Sequence, residues 1–421
     1  MDAWRRAWIR IVLAVCLGGL AVRASIPSSG ILVELPDGSL PTLGGNVAPP
    51  GTIPQVRVLL GSAARPVWKL RIDGPYRILA PDGWRVVGQG QRLGETELSA
   101  TDDGLRIGEL KLRQRRLKIE VATSGSLWVN QRRYRGQLWL VRQEDGRISA
   151  INNVDVEPYV ASVVNGELPA EFPPAARQAL AIAARTYVLY QMKARGAARD
   201  FDVYDNTRSQ VYQGVEMIDA QGRRLAVETA DSRRVAEDTR GVVLLYQGRL
   251  FCPYYGAVCG GHTGRGSDQF RDAAPPLVGV PCDGCSDAPR YRWQVETASE
   301  PMVARLSAYL DRTGRTVGAI QSMAATEPAD GRLGEVTVTG DRGSAVISTA
   351  TLREEGVGPR ELPSPYFALR WRPPRVTIQG RGWGHCVGLC QWGARGKAQA
   401  GSDCAAILMH YYPGATLSVA K

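Results

Sequence analysis

The chain has 421 residues, 44% of them hydrophobic and 22% charged, with a net charge of +11. This is a globular composition, and 47 Gly and 26 Pro with few long helical patterns point to a β-rich fold. The Lys and Arg residues form no sustained run, which argues against nucleic-acid binding and leaves attraction to an anionic cell envelope, or solubility alone, as the meaning of the charge.

Residues 1–24 read as an export signal. Arg5, Arg6 and Arg10 precede the apolar stretch 11–22, and Val22-Arg-Ala24 offers cleavage positions. The stretch is short for a bilayer span; an uncleaved membrane anchor is the alternative. No later run is apolar and long enough to cross a membrane. Residues 25–52 are rich in Pro, Gly and Ser and read as a flexible arm.

Short alternating runs at 55–60, 67–72, 105–112, 117–121 and 138–141 predict strands, so 53–150 reads as an N-terminal β-rich domain. The second region, 151–421, carries the chemistry. Tyr159, Val160 and Val163 are spaced for one helix face and lead to Asn165-Gly166-Glu167. Pro173 and Pro174 then suit a first helical turn. Ala176, Leu180, Ala184, Tyr187 and Gln191 recur at helical spacing, and Gly196 is a stop, which predicts one main helix over 173–195. Together with short C-terminal helices, this gives an α+β, β-rich fold. Glu157 and Glu171 are the other carboxylates near Glu167.

Past the helix comes a polar-aromatic stretch holding Asp202, Asp205, Gln210 and Tyr212. Asp202 and Asp205 could serve as a hydrolytic base, though turn hydrogen bonds suit them equally; Asp205, Gln210 and Tyr212 read as substrate-orienting or structural. Arg185 could fork onto a ligand carboxylate or form a buried ion pair; Tyr187 lies beside it on the helix. Cys259-x-x-His262 and Cys282-x-x-Cys285 have the spacing of zinc ligands, and together they supply a closed set of four. Disulfides or free thiols are the alternative. After signal removal seven Cys remain, an odd number for a complete disulfide framework. In the Gly-rich run 380–394, Trp383 and Trp392 could stack on sugars, while His385 and Gln391 could bond hydroxyls. A core turn with His385 satisfied internally is the other reading. His410 reads as structural.

Gly166-Glu167-Leu168-Pro169, residues 179–190, 201–205 and 209–214, Cys259-Gly-Gly-His262-Thr263 and Gly380-Arg-Gly-Trp383-Gly-His385 resemble, in order, the motifs of the SpoIID/LytB family. Cys386 stands where that family usually has Gly. The resemblance implies a lytic transglycosylase that cleaves peptidoglycan glycan strands at the MurNAc–GlcNAc bond, or a non-catalytic activator of a cell-wall amidase. A glycan-binding scaffold is a third reading. On the first, Glu167 is the acid and base, and the chemistry requires no cofactor; a structural zinc would only shape the fold.

Overall fold

The computed structural model describes residues 54–420 apart from 197, 198 and 329. The expected signal and arm lie outside the described residues. Among the described residues, no helix is long and apolar enough to cross a membrane.

A 13-stranded sheet dominates the N-terminal half. Its centre holds Val67–Leu79, Arg116–Val121, Gln137–Arg142 and Ile148–Asp155. Gln55–Leu59 pairs antiparallel with Ile148–Asp155 on one side and parallel with Val203–Tyr204 on the other. The sheet therefore runs across position 150, and the polar stretch after the main helix is stitched into it. Inward residues such as Val58, Leu70, Ile72, Ile119 and Leu140 form its core.

Ile148–Asp155 leads into α1, Val156–Glu167. A short connection then opens α2, Pro174–Arg195, with Pro at its first position and Gly196 closing it at φ +63°. The expected main helix is therefore present. It is buried on nearly every side, because alanines at 176, 179, 181, 183 and 184 let its neighbours approach closely. It packs on α1, on α3 (Ala230–Asp238) and on strand Val242–Tyr246. The C-terminal helices α5 (Gln391–Gln399) and α6 (Cys404–Tyr411) cover it as well. Thr186 fixes the strand by accepting from Leu244 N at 2.9 Å.

Residues 292–381 form a separate six-stranded antiparallel sheet, with α4 (Ser299–Arg312) on one face. Met302, Leu306, Val336, Val338, Phe367 and Ile378 give it its own core. The chain leaves and re-enters at one place. Gly382 N donates to Tyr291 O at 3.2 Å, and Trp293 Nε1 donates to Gly382 O at 2.9 Å.

Candidate active site

Glu167 is the last residue of α1 and is half-buried. Three neutral donors hold its carboxyl group. Val211 N reaches Oε1 at 2.8 Å, the Tyr255 hydroxyl reaches Oε1 at 3.4 Å, and Gln391 Nε2 reaches Oε2 at 3.1 Å. Burial raises its pKa, and these three bonds offset the rise only in part. The helix C-terminus, with its partial negative charge, also disfavours a carboxylate there. None of the three donors comes from the N-terminus of α2.

The local sequence explains this cradle. A Cβ on Gly166 would collide with the Val211 carbonyl oxygen, so only Gly lets the 205–212 segment come this close. Tyr255–Gly256 and Leu389–Cys390 pair as a short parallel ladder, which sets Tyr255 and Gln391 side by side against Glu167. The tie at the 165–170 turn is Arg177. Buried at 1% exposure, it donates to Asn165 Oδ1 at 3.0 Å and pairs with Asp231.

The structure sorts the other expected site residues. Arg185 is inside the core, forked onto Glu157 at 2.9 and 2.7 Å, so it faces no ligand. The fully buried Gln210 accepts from the Tyr159 hydroxyl at 2.8 Å and donates to Ala184 O at 3.3 Å. The Tyr212 hydroxyl donates to Asn152 Oδ1 at 2.6 Å, also in the core. All three are spent on partners inside the protein, and none of them bonds Glu167. Asp205 accepts from Gly61 N at 2.7 Å and pins a turn; burial raises its pKa. Tyr187 is buried, hydrogen-bonded to Ser209, and within electrostatic range of Glu167.

Gln391 is 3% exposed and serves Glu167 directly, where the sequence suggested a sugar hydroxyl. His385 accepts from Val387 N through Nδ1 at 3.0 Å and bonds the Tyr255 backbone. Burial pushes its pKa down to about 4, so it is neutral at neutral pH and steadies the Tyr255 strand. Trp392 is buried edge-on to Phe172. Trp383 is half-buried, with the Arg290 guanidinium 4.9 Å from its ring. Sequence reasoning missed Tyr255 and the Val211 amide. Position 255 follows another Tyr in a segment with no periodicity, and a backbone donor leaves no trace in residue type.

A second cluster lies just behind. The Sγ atoms of Cys259, Cys282, Cys285 and Cys390 are all within 4.8 Å of one another, and all four residues are buried. Cys259 and Cys285 are 3.7 Å apart, close to the edge of a tetrahedron with Zn–S bonds of about 2.3 Å. Cys390 Sγ accepts from Cys259 N and Gly393 N, each at 3.3 Å, which orients it for a central ion. The expected fourth ligand, His262, is not part of this set. Its backbone bridges to Pro281, and its ring Nδ1 lies 2.7 Å from Thr263 O. The set is therefore four thiols and no imidazole. All seven described cysteines are free of disulfide bonds.

A family description, stage II sporulation protein, matches residues 144–246, and a domain of unknown function matches 283–388. An uncharacterised protein of Brachyspira hyodysenteriae is 30% identical over 74% of this chain and 78% of its own length. The stage II sporulation protein D of Bacillus amyloliquefaciens is 28% identical over 64% of this chain and 76% of its own. The amidase enhancer of Bacillus subtilis is 25% identical over 61% of this chain but only 40% of its own length.

The chain belongs to the SpoIID/LytB family.

The match to stage II sporulation protein spans α1, α2 and the 203–214 segment, so it takes in Glu167 and its Val211 donor, while Tyr255 and Gln391 lie beyond it. The six-stranded unit falls within the second match and is spliced between two of the four thiols: Cys285 precedes it and Cys390 follows. In this SpoIID/LytB chain the Cys386 position, usually Gly, has φ +63°. A non-Gly residue there sits in the left-handed region, and its thiol lies against Val258 O at 3.3 Å.

Proposed function

We propose that the protein is an exported peptidoglycan-processing enzyme, a lytic transglycosylase acting on glycan strands, with Glu167 as its acid and base. The observation that carries this reading is a carboxyl group at the end of a buried helix, surrounded by neutral donors only and raised in pKa by burial. Such a group keeps its proton to a higher pH than a solvated glutamate does and can give it to a glycosidic oxygen. As the C1–O bond breaks, the C6 hydroxyl of the same muramic sugar attacks C1 and closes the anhydro ring. Its proton returns to the Glu167 carboxylate, so one residue serves both halves without a water nucleophile. Trp383 is the candidate stacking surface for a sugar ring.

The four-thiol set fits a structural zinc held by Cys259, Cys282, Cys285 and Cys390. A zinc there would tie the 255–262 segment to the start of α5, and with it Tyr255 to Gln391. The likeness to an amidase enhancer supports a second reading, in which the protein activates a partner amidase on the wall. Digestion of purified glycan strands followed by mass spectrometry separates the two. The enzyme yields anhydromuramic ends that vanish with Glu167→Gln; the activator leaves strands unchanged and raises the activity of an added cell-wall amidase.

A further inference from the structure

The two oxygens of Glu167 are not equivalent. Oε1 accepts from two donors, and one of them, Val211 N, is a backbone group that cannot turn away. Oε2 accepts from one, the side-chain amide of Gln391. A protonated carboxyl group has a carbonyl oxygen, which accepts two bonds readily, and a hydroxyl oxygen, which accepts poorly. We propose that Oε2 is the oxygen that carries and delivers the proton, and that Gln391 is the residue that positions it. This inference rests on Glu167 being the acid and names the working atom of that same site.

The role of Gln391 follows from the direction of charge. With the proton on Oε2, the amide of Gln391 donates to a weak acceptor. When the proton passes to the glycosidic oxygen, Oε2 becomes anionic and the same bond strengthens. A contact that tightens as the reaction proceeds stabilises the transition state more than the ground state. Val211 N stays on Oε1 throughout and mainly fixes orientation. Gln391 is held for the task. It opens α5 beside the Leu389–Cys390 strand and is almost fully buried, so its amide has little freedom to seek water. The titratable groups around Glu167 are the phenols of Tyr159, Tyr187 and Tyr255. Burial raises the pKa of each, so none competes for the proton at neutral pH.

The test uses the full mature chain labelled with 15N only at Gln and Val, titrated through the ionisation of Glu167. The Gln391 side-chain amide should move more than the Val211 backbone amide, and Glu167→Gln should abolish both movements. A larger movement at Val211, or none at Gln391, overturns the assignment to Oε2. In turnover, Gln391→Met should lower kcat by about ten- to a hundredfold, the value of a hydrogen bond to a charged group. KM should change little, and the alkaline limb of the pH profile, where Glu167 loses its proton, should move upward because the carboxylate loses a donor. An unchanged kcat overturns the positioning role. The titration on unmutated protein needs neither turnover nor a stable variant. It can therefore succeed while Glu167→Gln keeps its turnover, which would sink the enzymatic reading alone.

Discussion

Glu157 and Glu167 stand at opposite ends of one helix, and their surroundings differ in kind. Glu157, in the first turn of α1, meets the Arg185 guanidinium through two bonds and also accepts from Gly241 N at 3.1 Å. Arg185 in turn donates to Val242 O and Ala236 O, so every strong group around this pair has a partner. Glu167, at the last turn, is half-buried and meets only neutral donors. A charge partner makes a buried carboxylate permanent and structural; its absence makes the proton easy to keep and useful. The first glutamate locks α1, α2 and the 236–242 segment together, and the second is left chemically open at the surface of that locked unit.

The sharpest break of this comparison is to remove each carboxylate in turn. Glu167→Gln should lower the yield of anhydromuramic ends by about two to four orders of magnitude, the usual worth of a positioned acid–base group. Folding should survive, since the Gln391 amide can turn its oxygen toward the new side chain. Glu157→Gln should instead leave Arg185 buried with a neutral partner and cost about 3–5 kcal/mol of stability. Denaturant unfolding reads the second effect and glycan digestion the first. A stable Glu157→Gln protein together with an unfolded Glu167→Gln protein would reverse the assignment of roles.

The thiol set tests whether the cradle depends on what lies behind it. Purified protein should contain about one zinc per chain, and a chelator should lower its thermal stability because metal binding is shared with folding. Cys390→Ser should lose the metal, whereas His262→Ala should keep it. Retention of metal by Cys390→Ser would restore the imidazole to the site and remove Cys390 from it. A smaller effect is expected at Gly166→Ala. The added methyl meets the Val211 carbonyl oxygen, so the 205–212 segment must shift, taking the Val211 donor off Glu167. Turnover should fall by about tenfold or more with a modest loss of stability, as a displaced hydrogen bond to a charged group implies.

How much of this was legible in the sequence depends on the range of the interaction. The α2 helix was readable because its alanines, its opening prolines and Gly196 are local signals. The motif pointed to Glu167, which the fold sets at the end of α1. The central strand Ile148–Asp155 was not, since Asn152 and Asn153 break its apolar pattern. Asn152 is tolerated at the centre only because Arg135 O, Gln137 O and the Tyr212 hydroxyl satisfy its amide. Val86–Ala100 is a long strand rich in Gly and Gln, visible only through its pairing with Val67–Leu79. The thiol set failed for the same reason. Spacing selects neighbours such as His262, while the true fourth member comes from position 390, beyond an entire inserted sheet. Arg185 shows the reverse case. Its residue type allowed two readings, and only the position of Glu157 decides between them.

The smallest expected effect is also the most direct measure of how dry the Glu167 site is. Burial raises the folded-state pKa of Glu167, so the folded protein holds this proton more tightly than the unfolded chain does. The protonated carboxyl group therefore contributes stability that is fully present below the unfolded pKa, about 4.3 for Glu. That contribution is lost as pH rises through the folded-state pKa. Gln stays neutral throughout, so Glu167→Gln escapes the loss. The melting temperature of the variant minus that of the natural protein should become more positive as pH is raised from 4 to 7. The underlying change in unfolding free energy should be on the order of 1 kcal/mol for each pH unit separating the two titrations. Glu157→Gln should show no such gain at neutral pH, because it breaks the two-bond fork to the buried Arg185 and costs stability there. A melting difference for Glu167→Gln that stays flat from pH 4 to 7 would mean that water and the three donors compensate the carboxylate fully. Glu167 would then be no better placed to hold a proton at neutral pH than a glutamate on the surface.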